Sequence, residues 1–242
     1  MLRNLFKSST QTNYVKVYSH PRSGTHFLEA FLARNFYPDL DLSVKPIVWG
    51  HWSNRVSNES GNPFGQLYGS HLFPRKKFAN GPIIYIYRDG RAVANSLWGT
   101  ENFLNKNDSG ISFSDFLLQK LDWEGTPSNK AEPGITIAEH WLRHVTAWHD
   151  FLANKPDSLI VSYEDMLANP HKVYEQIHQK FFAKQPALSI SEIDTIRDKQ
   201  GIKPNSANSY KWRETFTDDD LLLFREQINN NEAFLSDRKT IS

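Results

Sequence analysis

Tyr14-Val15-Lys16-Val17-Tyr18-Ser19-His20-Pro21-Arg22-Ser23-Gly24-Thr25-His26-Phe27-Leu28 passes from a strand pattern through a turn into a helix. β-Branched and aromatic residues alternate as far as Ser19, and Phe27, Leu28, Phe31 and Leu32 then recur at helical spacing. The Pro/Arg/Ser/Gly/Thr turn between them aims the free N–H groups of a helix start, hydroxyls and one arginine at a single point. A phosphate or sulfate fits such a point. Gly24 permits close backbone approach, Ser23 and Thr25 add hydroxyls, and Arg22 offers a fork of donors that keeps its charge. The Gly-x4-Gly-Lys-Ser/Thr spacing of a Walker A loop is absent. Taken alone, the stretch reads either as an anion loop or as an ordinary strand-to-helix turn.

Outward from this stretch, positions 15–19, 82–87 and 159–163 read as buried, parallel-type strands. Helical patterns follow over 92–104 and 170–182. A long amphipathic helix is predicted over 137–154, with Trp141, His144, Val145, Trp148 and Leu152 on one face. Strands alternating with helices predict an α/β fold: one three-layer, P-loop-like domain with a central parallel sheet flanked by helices. The domain is expected over 13–242, with 1–12 a flexible lead-in. Ligands of such sheets bind at the carboxyl ends of the strands, where loop 21–25 and Arg88 fall. Positions 51–70 and 105–136 read as irregular lids or binding loops, the second with a short helix over 113–121. Thr217-Asp218-Asp219-Asp220 signals the start of a last helix over 218–228.

The chain has 242 residues, enough for one full core, and 28 Lys+Arg against 27 Asp+Glu leave a net charge of +1. No global basic field exists, so nucleic acid is not an expected partner and any anion site is local. With no cysteine, disulfides, thiolate zinc and a cysteine nucleophile are excluded, and a reducing compartment fits. The first 13 residues are not expected to form a signal peptide, and the apolar runs are strand-sized, so no membrane association is expected. No His/Asp/Glu cluster shows metal-ligand spacing, so no metal is expected.

A second segment, Tyr87-Arg88-Asp89-Gly90-Arg91-Ala92-Val93-Ala94-Asn95-Ser96, places Arg88 at a strand end and Ser96 two helical turns on. Both can face one anion; alternatively Arg88 pairs with Asp89. Arg91 is expected to be solvated or paired.

Together the two segments resemble the sulfotransferases that use 3′-phosphoadenosine 5′-phosphosulfate (PAPS). The family's phosphosulfate loop, Pro-Lys/Arg-Ser-Gly-Thr, is matched by Pro21-Arg22-Ser23-Gly24-Thr25, and its 3′-phosphate Arg and Ser by Arg88 and Ser96. The Trp141…His144…Trp148 helix, Tyr163-Glu164-Asp165-Met166, Asn169-Pro170 and Trp212-Arg213-Glu214-Thr215-Phe216-Thr217 extend the resemblance over most of the chain.

The resemblance implies in-line transfer of a sulfuryl group from PAPS to a hydroxyl or amine of a small molecule, with PAP (adenosine 3′,5′-bisphosphate) as product. It implies Arg22 at the transferring group, Ser23, Gly24 and Thr25 at the 5′-phosphate, Arg88 and Ser96 at the 3′-phosphate, and Phe27 and Tyr163 at adenine. Phe27 reads equally as a core residue. His71, in Gly69-Ser70-His71-Leu72, stands where the family carries its catalytic base, while His20, His26 and His51 are weaker competitors. His26 replaces the loop's second threonine and can donate to a phosphate oxygen. Gly69 stands where many members have a lysine. The C-terminal Arg-Lys-Gly clamp is not recognisable near Asn205-Ser206-Ala207, leaving Lys203, Lys211 or Arg213 as substitutes. The alternatives are a catalytically silent PAP-binding module and a P-loop-like phosphotransferase. A cytoplasmic location is expected, with a homodimer as an open assembly state. Trp49, Trp52, Phe64, Tyr68, Trp98, Phe103 and Trp123 either line the acceptor site or pack the lids.

Overall fold

Alternation along the strands hands one set of side chains to each face of a sheet, and both sets are apolar. The computed structural model describes residues 14–37, 67–78, 80–99, 110–121, 134–195 and 210–236. The lead-in expected over 1–12 lies outside them. Within them, β1 (Lys16–Ser19), β2 (Tyr68–Ser70), β3 (Ile83–Tyr87) and β4 (Ser158–Ser162) form one all-parallel sheet in the order β2-β1-β3-β4.

Tyr18, Ile83 and Tyr85 point to one face. There they pack with α2 (Gly90–Trp98), α3 (Phe113–Leu118), α4 (Ile137–Leu152) and α7 (Asp218–Gln227). Val15, Val17, Ile84, Ile86 and Val161 point to the other, under α1 (Thr25–Phe36), α5 (Tyr163–Ala168) and α6 (Pro170–Phe181). The result is the expected three-layer, P-loop-like α/β fold. Aromatic stacking cements the first face: Tyr85 lies on Trp148 with ring centroids 5.3 Å apart and planes 12° from parallel.

The predicted strands and helices recur with small shifts. The pattern over 159–163 runs one residue earlier, because Tyr163 opens α5 after Ser162 caps it. The pattern over 92–104 begins earlier, at Gly90, capped by Asp89, and its described part ends at Gly99. The structure adds β2, which lies in the stretch read as irregular. It has only three residues, and Gly69 offers no side chain to alternate. Capping boxes open α4 (Thr136 with Glu139) and α7 (Thr217 with Asp220).

Asp89 does more than cap α2. Its buried carboxylate accepts from Arg91 Nε at 3.0 Å and Nη2 at 2.6 Å, and from Ser236 N at 2.9 Å and Oγ at 2.7 Å. The Arg91 guanidinium lies 4.0 Å from the Trp212 ring centroid. Burial alone would raise the Asp89 pKa, but the bonds from Arg91 and Ser236 more than reverse this and lower it. Asp89→Ala would strand a buried arginine and is expected to cost about 3–5 kcal/mol in urea unfolding. A loss under about 1 kcal/mol would show the pair to be energetically idle.

Candidate active site

Parallel strands end on one side of the sheet, so four segments meet there. β2 runs into His71, β1 into the turn at residues 20–24, β3 into Arg88 and β4 into Tyr163. In the turn, Ser23 N–H donates to His20 O at 3.3 Å, and two residues take left-handed backbone angles: Arg22 at φ 64° and Gly24 at φ 91°. The arginine is a strained choice, costing about 1–3 kcal/mol. Gly24 is required twice over, since a Cβ there would also collide with the Tyr163 ring.

No side chain caps α1, so the N–H groups of its first turn face the loop. The buried Ser23 Oγ and Arg88 Nε have no partner among the described residues.

Two guanidinium groups converge on this loop. Arg22 Nε donates to Ser96 Oγ at 2.9 Å, Arg88 Nη1 approaches Arg22 O at 3.5 Å, and the Arg88 guanidinium lies 4.7 Å from the Tyr163 ring centroid. Burial first, and then the Arg88 charge, lower the Arg22 pKa. Among the described residues no carboxylate forms an ion pair with either arginine. Asp89, the expected partner of Arg88, is taken by Arg91. Glu164 sits beside them, accepting from Asp89 N–H at 3.2 Å, and burial lifts its pKa to about 7. Phe27 meets Tyr163 edge-on at 5.8 Å. The elements thus bring Arg22, Ser23, Gly24, Thr25, Phe27, Arg88, Ser96 and Tyr163 to one place.

His71 is buried beside them. Its Nδ1 lies 2.8 Å from Ser19 O and 3.1 Å from Ser19 Oγ, which bonds Thr25 Oγ1 at 2.6 Å. A carbonyl only accepts, so Nδ1 carries the proton and Nε2 keeps a lone pair. Burial pushes the His71 pKa down to about 4, against the opposing bond to Ser19, so the ring is neutral at neutral pH.

Helix α4 holds this arrangement from behind. Trp141 Nε1 donates to Arg88 O and Trp148 Nε1 to Leu72 O, both at 3.0 Å. His144 Nε2 donates to His71 O at 3.1 Å, and its Nδ1 accepts from Tyr85 Oη at 2.9 Å. His20 pairs through Nε2 with His140 Nδ1 at 3.0 Å, so it packs behind the loop.

Of the other expected residues, Lys211 and Arg213 are exposed on the turn that carries Trp212, beside Arg91. Arg213 lies over Tyr210. Trp98 donates to Ile111 O at 3.0 Å and packs on Phe113, which is the packing use of that aromatic. His51, Trp49, Trp52, Phe64, Phe103, Trp123 and Lys203 lie outside the described residues. The reading missed Ser19, Tyr85, Glu29 and Glu164. Of these, Glu29 carried a signal: a charge three and four residues from His26 and Thr25, within the apolar face of α1.

A Cβ at Gly69 would lie 2.6 Å from the Tyr18 ring, so no side chain fits there. The lysine of the resembling family has no room in this chain.

The α/β fold with a strand–turn–helix loop at the strand ends defines a class, and comparison with known proteins narrows it. The sulfotransferase-domain family model matches residues 13–231, and the chain belongs to that family. An amine sulfotransferase of Oryctolagus cuniculus is 25% identical over 194 residues, covering 75% of this chain. The chain spans 59% of the length of that relative. Among solved structures, retinol dehydratase in complex with androsterone and inactive cofactor PAP superposes with a TM-score of 0.56 at 14% identity, covering 94% of this chain and 83% of that one. A mouse sulfotransferase complexed with PAP gives 0.56 at 19% identity, covering 91% and 86%. Both are likenesses of fold. No described helix is long and apolar enough to cross a membrane.

His20, His71, His140 and His144 are all held neutral by burial, His71 and His140 with pKa values near 4 and the other two well below the ordinary value. The unfolded chain takes up these protons near pH 6.5 and the folded chain does not, so stability rises with pH across that window. Urea unfolding is expected to show full stability above about pH 7, with a loss of about 1.4 kcal/mol per pH unit for each titrating ring as pH falls from about 6.5 to 4. A flat profile would show these rings protonating inside the fold.

Proposed function

We propose that this chain transfers a sulfuryl group from PAPS to a hydroxyl or amine of a small molecule. One observation carries the reading. Arg22 rests on Ser96 with Arg88 alongside, so two segments far apart in sequence present to one space two arginines that have no paired carboxylate among the described residues. Orphaned Ser23 Oγ and Arg88 Nε, together with an uncapped helix start, fit a ligand with two anionic ends. The loop takes the 5′ end, with Arg22 at the sulfuryl group, Ser23, Gly24 and Thr25 at the phosphate, and His26 donating to it. Arg88 and Ser96 take the 3′-phosphate, with Lys211 or Arg213 closing over it. Tyr163 and Phe27 flank adenine.

PAPS supplies the activated sulfuryl group, and the chain supplies position and charge. His71 Nε2 removes the acceptor proton as the acceptor oxygen or nitrogen approaches sulfur in line with the departing phosphate. Arg22 offsets the charge that grows on that phosphate. A neutral His71 with its lone pair fixed on Nε2 favours an active enzyme over a silent nucleotide-binding module. We place the enzyme in the cytoplasm. One chain holds every residue this chemistry uses, and a homodimer is compatible with it.

Labelled PAPS and a library of small hydroxyl and amine acceptors test the reading. His71→Ala is expected to lower turnover about 10²–10⁴-fold while PAP affinity holds. Arg88→Ala is expected to weaken PAP about 10–100-fold and adenosine 5′-phosphate far less. Equal losses for both nucleotides would remove the 3′ role of Arg88. Sulfate that never leaves PAPS on any acceptor would favour the silent module.

A further inference from the structure

Glu29 is fully buried on the first turns of α1, directly behind the anion loop, and the transfer described above makes no use of it. Its Oε2 lies 3.2 Å from His26 Nδ1, while Oε1 has no partner among the described residues. His26 follows Thr25, whose hydroxyl bonds Ser19 Oγ, which lies 3.1 Å from His71 Nδ1. The His26 side chain keeps 24% of its surface exposed, so its ring reaches from the buried carboxyl to the surface of the protein. Burial raises the Glu29 pKa, against the bond from His26 and the charge of Lys16, which approaches from β1.

A buried carboxylate behind an anion site repels the anion it should help to hold. The conflict disappears when the imidazole between them carries the positive charge. The carboxylate then fixes Nδ1–H and leaves Nε2–H aimed away from it.

We propose that His26 is a catalytic residue: an imidazolium, oriented by Glu29, whose Nε2–H donates to the sulfuryl-bearing end of the nucleotide. The proposal rests on the loop being the 5′ site. During transfer a bond forms from the acceptor oxygen or nitrogen to sulfur. The bond from sulfur to the bridging oxygen breaks, and its electron pair stays on the departing phosphate. The acceptor proton passes to His71. His26 keeps its proton and shares it as a hydrogen bond with the phosphate. Among the described residues, the titratable groups coupled to His26 are Glu29 on its own helix and His71 beyond β2, and Lys16 on β1 faces Glu29.

Nitrogen-15 NMR of the histidine rings in the full chain tests this, because the two ring nitrogens resonate together in an imidazolium and far apart in a neutral ring. With PAP at about pH 7, His26, assigned through His26→Gln, is expected to be an imidazolium, and Glu29→Gln is expected to return it to the neutral form. His26→Gln is also expected to lower kcat for labelled PAPS about 10²-fold and to weaken PAP, which keeps the same phosphate, about 10-fold. PAP that binds while His26 stays neutral, or a Glu29→Gln chain whose His26 is still charged, overturns the proposal alone. Should Glu29→Gln not fold, unchanged kcat in His26→Gln overturns it. PAP that perturbs neither the loop nor Arg88 overturns the nucleotide reading and this proposal with it.

Discussion

A circuit of buried hydrogen bonds fixes the site. It runs from Tyr85 to His144, from His144 to the carbonyl of His71, and from the ring of His71 to the carbonyl of Ser19. The circuit ties together the ends of β1 and β2, the middle of β3 and the face of α4. Every member is neutral, and each proton position follows from a carbonyl that can only accept. Buried polar groups are tolerated when their partners are complete, and a complete network admits few alternative arrangements. The orientation of His71 is therefore set by the same contacts that hold the sheet ends together. Trp141 and Trp148 extend this grip to the carbonyls of Arg88 and Leu72, so one helix positions both His71 and Arg88.

On the opposite side of the circuit the balance is unfinished by design. Arg22 sits in a left-handed conformation that costs energy, and its charge is crowded by burial and by Arg88. Asp89 could have neutralised Arg88, but Arg91, Ser236 and its own capping bond occupy it. Like-charge crowding, and donors that have no partner among the described residues, are both conditions that a bound anion would offset.

Much of this was legible in the chain. Strand–turn–helix order at residues 14–28 and the three apolar runs give the parallel sheet, because a buried parallel strand needs no partner-specific pattern to be seen. Loop 21–25, Arg88 and Ser96 were visible as residue types at strand ends. The edge strand β2 was not, since three residues around a glycine carry no periodicity. Nor was the circuit. Tyr85 reads as one more apolar strand residue and His144 as one more position on a buried stripe, and only the register of β3 against β1, together with the packing of α4, turns both into donors and acceptors at the site.

Tyr18 shows how one core residue governs the charge of the site. Its ring packs against Trp148 and Phe78 and lies flush under Gly69. The strand leading into His71 can therefore carry neither a side chain nor a charge at that point. The positive charges at the strand ends stand instead in the turn after β1, with Arg22, and at the end of β3, with Arg88. Packing on one face of β1 thus decides what the neighbouring strand can carry as it runs toward His71.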